Sequence, residues 1–342
     1  MAPAQLTQLF QAIGKHKNIL ILPHNNPDSD AIASAYALRY LLKKTRGIRG
    51  EILYKGIIGR AENKALARYL DYPLRQLKEN DFHQAKPIAL IDSQPGRSSN
   101  PVPRGLNIAI VLDHHTWYDP SQTDMVSFAD VRPELGATST ILTEYLQAAQ
   151  IELSTQLATA LFYGIKTSTM GLGRNTSPAD AQAYYDLQPQ IDVEAIASIE
   201  TARVPPHYFK SFDATLRAAR IYDGVVIAYI GPMLYPDLAA EMADLLLRLE
   251  EAQWVICMGV YKNSFNVSVR TRSQRNGAGR FVQAIIGPEG TAGGHGTMAG
   301  GQIPLTHKNP DELVSELTTN ILAYLQIPAH LTGQPLIVDD EG

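Results

Sequence analysis

The chain has 342 residues, which at roughly 150 residues per domain predicts two domains rather than a single core. Its composition, 45% hydrophobic, 19% charged and 8% aromatic, is that of an ordinary globular protein and excludes disordered and fibrous classes. With 30 Lys and Arg against 34 Asp and Glu, the net charge of −4 gives no basic field for long duplex nucleic acid or an anionic membrane, so a phosphate-bearing ligand must be met locally.

The opening stretch, MAPAQLTQLFQAIGKHKN, lacks the apolar run of a signal peptide, and no segment approaches about 18 apolar residues without a charge. Cys257 stands alone, with no internal disulfide partner and no Cys/His zinc spacing, so a reducing cytoplasm is the expected location. Short apolar runs then alternate with helical patterns, as a parallel sheet with covering helices requires. Strands are expected at Asn18–Pro23, Glu51–Tyr54, Pro87–Asp92 and Asn107–Asp113, with helices over Ala31–Lys44 and Glu62–Tyr69 between them. From Gly136 to about Glu200 the pattern is helical, and the two prolines of TARVPPHY read as a break. A second alternation follows, with strands near Gly224–Ile230, Trp254–Val260 and Phe265–Arg270 and helices near Leu238–Glu250 and Asp311–Leu325. The expected fold is α/β. A mostly parallel N-terminal sheet flanked by helices (1–200) leads through a linker (201–215) to a smaller C-terminal α/β domain (216–342).

Polar residues at the carboxyl ends of the first-domain strands matter, because open α/β sheets bind ligands beyond those ends. They are His24, Asp92 and Asp113. In HNNPDSDAIAS, Asp28 and Asp30 fit either of two roles, capping the helix that follows or joining His24 in a metal ligand set. Asp92 fits the turn after its strand or a position bridging two metals. The sequence Asp113-His114-His115 is harder to explain by structure alone, and three strand ends that each deliver Asp or His favour a metal site.

Taken in order, HNNPDSDAIAS, Asp92, VLDHH, GATST and the C-terminal GGHGTMAGG resemble the DHH-family phosphoesterases with a DHH-associated C-terminal domain, a group that includes RecJ-type exonucleases and nanoRNase/pAp phosphatases. The resemblance spans residues 24 to 301. It implies two divalent cations, Mn²⁺ with Mg²⁺ as the alternative, one held by His24, Asp28 and Asp92, the other by Asp30, Asp92 and His114. It further implies His115 as a phosphate contact or proton donor, with Asp113 orienting a neighbouring histidine. The family's fourth acidic motif departs here: after LATALFYGIKT, Ser168 stands where an aspartate is expected, which weakens the second cation's site. Asp180 and Asp186 read as surface or capping residues rather than replacements.

In the glycine cluster the absent side chains of Gly293, Gly294 and Gly296 let backbone N–H groups approach an anion, and His295 adds a donor. Arg270 and Arg272 alternate onto one face of VSVRTRS. Their plain reading is a solvated edge, and the resemblance implies that Arg270 contacts the nucleotide or its terminal phosphate. The reading reached is a phosphoesterase acting on short oligonucleotides, dinucleotides or pAp, with a homodimer left open. Its rivals are a catalytically weakened nucleotide- or phosphate-binding protein, on the ground of Ser168, and a pyrophosphatase or exopolyphosphatase-like enzyme.

Overall fold

In a computed structural model, residues 3–338 are described apart from 84, 85, 98, 118, 274–276, 307 and 329, and for residues 3, 120, 122 and 295 the backbone alone. The chain divides into two compact units, Met1–Arg203 and Val204–Gly342. No helix among the described residues is long and apolar enough to cross a membrane.

The first unit runs α1 (Pro3–Ile13), β1 (Asn18–Pro23), α2 (Ser29–Arg46), β2 (Arg49–Tyr54), α3 (Ala61–Tyr69), β3 (Arg75–Gln76), β4 (Ile88–Ile91), β5 (Ile108–Asp113), β6 (Val126–Val131), α4 (Thr138–Ala148), α5 (Thr155–Ser168), α6 (Pro178–Leu187) and α7 (Val193–Glu200). Its six strands order β3-β2-β1-β4-β5-β6, and every pairing is parallel. A parallel sheet is covered on both faces, so its central strands are apolar on both sides of the pleat. In β1, Ile19 and Ile21 pack into the large core beneath the helices, while Leu20 and Leu22 pack with Leu90, Ile108 and Val111 on the other face. Helix α2 starts at Asp28, whose carboxylate accepts from Ala31 N, and stops at Gly47, which has the positive φ (66°) of a left-handed cap.

The second unit runs α8 (Pro206–Ala218), β7 (Arg220–Tyr222), β8 (Val225–Pro232), α9 (Leu238–Leu246), β9 (Trp254–Tyr261), β10 (Ser264–Thr271), α10 (Ala278–Ile286), β11 (Thr291–His295), β12 (Met298–Pro304), α11 (Pro310–Tyr324) and β13 (Gln334–Pro335). Its seven strands order β11-β12-β10-β9-β8-β7-β13, antiparallel except for β8 with β9. Its core joins Phe265, Val267 and Val269 to Phe281, Val282 and Ile321. The stretch expected as a linker, 201–215, is helical from Pro206. Pro205 is the N-cap and Pro206 a first-turn residue, a position where the missing N–H costs nothing and the fixed φ suits a helix, so the prolines start an element rather than break one.

Candidate metal centre

Strand order in the first sheet reverses between β1 and β4, and sheets of this kind leave a crevice at that place, beyond their carboxyl ends. His24 follows β1, Asp92 follows β4, and Asp113 closes β5 with His114 and His115 next. The three strands are buried to their last residue, so these are the first groups free to turn toward one another at the edge.

Asp92 is the hub. Its side chain is 4% exposed, and its φ of 53° is uncommon for a residue with a side chain, the kind of strain that surroundings must hold in place. Its Oδ2 lies 3.6 Å from His24 Nε2 and its Oδ1 3.5 Å from His114 Nε2. Each histidine gives its other nitrogen to a carbonyl, which can only accept: His24 Nδ1 donates to Asn25 O at 2.8 Å and His114 Nδ1 to Leu135 O at 3.2 Å. Both Nε2 atoms are thus the ones turned to Asp92, and in a neutral ring they carry the lone pair. Asp28 Oδ1 lies 3.8 Å from His24 Nε2 while it caps α2, so cap and ligand position coincide in one side chain that is 53% exposed.

The field here is strongly negative. Burial opposes a charged His24, yet the nearby carboxylate of Asp28 and then the charge of Asp92 outweigh it and raise the imidazole pKa to about 10. Burial pushes the Asp28 carboxyl up, and His24 pulls it well below the usual carboxylate range. A donor set of two oriented imidazoles and two carboxylates, in a field that draws a proton onto His24, fits a divalent cation. Among the described residues the His, Asp, Glu and Cys atoms within 4.8 Å of one another form two groups, His24-Asp28-Asp92 and Asp92-His114-His115, with Asp92 shared.

The first group coincides with the ligand set expected from the sequence; the second has His115 where Asp30 was expected. Asp30 is buried, and its Oδ2 accepts from Thr138 N at 2.8 Å while its Oδ1 accepts from Ser139 N at 2.8 Å and Ser139 Oγ at 2.5 Å. It caps α4 from another helix, since Ala137 at the N-cap has no side chain to do so. Burial, then the charge of Asp92, raises the Asp30 carboxyl to about 6. His115 Nδ1 donates to Asp113 Oδ1 at 2.8 Å and lies 3.6 Å from Asp92 Oδ1. Burial lowers the His115 pKa, but Asp113 and Asp92 raise it overall. The buried Asp113 is itself drawn below the carboxylate range, against burial, chiefly by His115.

Ser168 is the last residue of α5, and its carbonyl accepts from Arg174 Nη2 at 3.3 Å. Asp180 does not replace the missing carboxylate. Fully buried rather than at the surface, it closes the capping box of α6 with Ser177 and accepts from Gly136 N at 2.8 Å and Thr140 Oγ1 at 2.5 Å. Asp186 is engaged by Gln182 Nε2 and Gln147 Nε2. Two contributors had no role assigned from the sequence. Thr138 Oγ1 donates to Asp92 Oδ1 at 2.9 Å, and a Cβ at Gly164 would lie 2.3 Å from Ser139 Oγ and 3.3 Å from Asp30 Cα. The signal for Gly164 was present, a glycine inside the helical run LATALFYGIKT.

In the second unit the expected clamp residues have other partners. Arg270 is 8% exposed and pairs through Nε with Asp244 Oδ1 at 2.5 Å, while Nη1 donates to Ser268 Oγ and Val269 O. Arg272 donates to the carbonyls of Ala252, Leu247 and Leu249, beyond the end of α9, which is a structural role. Gly293 and Gly294 lie in the hairpin β11–β12 and Gly296 in its turn with φ 52°. A Cβ on Gly294 would meet Met298 O at 2.4 Å, so the close approach of the paired strand itself requires glycine there. The side chain of His295 lies outside the described part of the structure.

Fold and site define a parallel α/β unit with a His–Asp cluster at its strand ends that could hold a cation. Residues 18–165 match the DHH family, N-terminal domain. An uncharacterized protein of Methanocaldococcus jannaschii is 37% identical over 294 residues, 85% of this chain and 59% of that protein. A probable manganese-dependent inorganic pyrophosphatase of Streptococcus pyogenes is 29% identical over 163 residues, 46% of this chain and 50% of that protein. The chain therefore spans about 59% and 50% of the length of these relatives. An exopolyphosphatase-related protein from Bacteroides fragilis has the same fold, with a TM-score of 0.71 at 15% identity over 94% of this chain and 97% of that one.

Proposed function

We propose that this chain is a metal-dependent phosphoesterase that takes two divalent cations, Mn²⁺ ahead of Mg²⁺, in its first unit. His24, Asp28 and Asp92 would hold one, and Asp92 with His114 the other. The observation that carries this reading is Asp92 itself, each of whose oxygens faces the Nε2 of a histidine fixed through its other nitrogen. Bound there, such cations polarise a phosphoryl oxygen and lower the pKa of the attacking water. The chain's own residues do the rest. Asp113 holds the His115 ring through Nδ1, and with Asp92 it favours the charged imidazole against burial, which suits His115 to protonate the leaving oxygen.

The substrates proposed are short: oligoribonucleotides of a few residues, dinucleotides and pAp. A net charge of −4 supports short over long nucleic acid. Inorganic pyrophosphate is the second reading, favoured by the likeness to the Streptococcus pyogenes protein and by the commitment of Arg270 to Asp244 and Arg272 to carbonyls, which weakens the case for an arginine reading a nucleotide end. Assays with Mn²⁺ against pApA, pGpG, pAp and pyrophosphate separate the readings. Expected is chelator-sensitive release of mononucleotide or phosphate from the nucleotide substrates at rates at least about tenfold above that for pyrophosphate. Hydrolysis of pyrophosphate alone transfers the assignment to the second reading. Mn²⁺ binding without any hydrolysis leaves a binding protein.

A further inference from the structure

The segment Leu135–Thr140, the loop into α4 and the first residues of that helix, is bonded to His114, Asp30 and Asp92. Leu135 O accepts from His114 Nδ1, Thr138 N and Ser139 N donate to Asp30, Gly136 N and Thr140 Oγ1 donate to Asp180, and Thr138 Oγ1 donates to Asp92 Oδ1. Thr138 is fully buried, and its hydroxyl reaches Asp92 Oδ1 at 2.9 Å. Its hydroxyl can only donate to a carboxylate, and it does so to Oδ1, the oxygen that faces His114, not to Oδ2, which faces His24.

We propose that Thr138 is a positioning residue that sets the Asp92 carboxylate for the cation on the His114 side, so that its hydroxyl governs that cation's affinity and leaves the His24-side cation nearly untouched. This rests on the metal-dependent reading above. Hydrogen bonds to a ligating carboxylate fix its plane and the direction of its remaining lone pairs, and losing such a partner costs about 10- to 100-fold in metal affinity. Here the partner touches one oxygen of a shared ligand, so the loss should be one-sided. Thr138 also holds Asp30 through its backbone N–H, a bond that any side chain at 138 retains.

The test is Mn²⁺ titration by calorimetry of Thr138→Val, which keeps the volume and the backbone N–H, and of Thr138→Ser, which keeps the hydroxyl. Each is placed in His24→Ala, which retains the His114-side donors, and in His114→Ala, which retains the His24-side donors. Thr138→Val is expected to weaken Mn²⁺ by at least about tenfold in the His24→Ala background and by less than about threefold in the His114→Ala background, with Thr138→Ser restoring affinity in the first. Thermal melting without metal checks that the valine variant is folded; if it melts more than about 10 °C low, Thr138→Ala takes its place in the comparison with Thr138→Ser. Equal losses in both backgrounds, no loss in either, or failure of serine to restore binding overturns the proposal. If wild-type protein binds no Mn²⁺ at all, the metal reading fails and this proposal with it. An intact wild-type titration with an unselective Thr138→Val variant sinks this proposal alone.

Discussion

In Met1–Arg203 the oxygens of Asp92 face histidine nitrogens at 3.5 and 3.6 Å, too far for hydrogen bonds and suited to an atom placed between them. In Val204–Gly342 the candidate charged group, Arg270, sits at 2.5 Å from Asp244, and Arg272 holds three carbonyls at 2.6 to 3.0 Å. Charged side chains near strand ends therefore stand in opposite conditions in the two units. Those in the second unit are satisfied by permanent partners. Those in the first gather carboxylates whose charges raise the His24 pKa to about 10 and, after burial, help raise that of Asp30 to about 6. Closure of the pairing around a charged residue, more than burial, separates a structural role from a binding one.

The sharpest way to break this contrast is to remove the hub of each unit. Asp92→Asn takes the shared ligand from both cations, and turnover of a Mn²⁺-dependent phosphoester assay should fall about 10³-fold or more while the melting temperature without metal changes little. Arg270→Ala should do the reverse. It leaves Asp244 without its cation and is expected to destabilise the protein by about 2 kcal/mol, below the range for fully buried pairs because the Asp244 side chain is 43% exposed. Mn²⁺ affinity should be unchanged. A rise in the Michaelis constant without loss of stability would instead return Arg270 to the substrate-binding role expected from the sequence.

A smaller effect tests the field around His24. Its folded pKa of about 10 lies above the ordinary 6.5, so its contribution to the stability of the metal-free protein is fully present below pH 6.5 and is lost as pH rises toward 10. A cation ligated by Nε2 must displace that proton. Apparent Mn²⁺ affinity should therefore rise about tenfold per pH unit between about pH 7 and pH 9, with one proton released per cation at the His24 side, read by calorimetry in buffers of different ionisation enthalpy. A flat profile would show that His24 is not a ligand.

How much of this the sequence carried depends on how local the cause is. The strands β1, β4 and β5 announce themselves because a strand buried on both faces must be apolar throughout, and the polar residues that end them mark the site. Strand β6, VSFADV, went unread because it is an edge strand buried only at Phe128 and Asp130, where the apolar signal thins. Asp30 has a helix-capping role, as its type allows, but for α4, more than a hundred residues further on, a partnership that depends on tertiary packing. The fates of Arg270 and Arg272 were hidden for the same reason. Alternation placed them on a strand face, but only the fold brings Asp244 and the end of α9 to them.

Ser168 gives the mildest and most discriminating change. It ends α5, four residues after Gly164, whose absent Cβ lets that helix lie against Ser139 and Asp30. A carboxylate at 168 is one helical turn beyond that contact and on the same face, since residues four apart stack. Ser168→Asp is therefore expected to add negative charge beside the second cation's donors and to raise Mn²⁺ affinity there, and turnover, by about fivefold, with the substrate Michaelis constant unchanged. A negative charge in the last turn of a helix opposes the macrodipole, so the metal-free protein should lose about 0.5 kcal/mol, and saturating Mn²⁺ should recover it. Loss of stability without any gain in Mn²⁺ affinity would mean that the end of α5 does not face the centre, and that the serine marks no weakened ligand position.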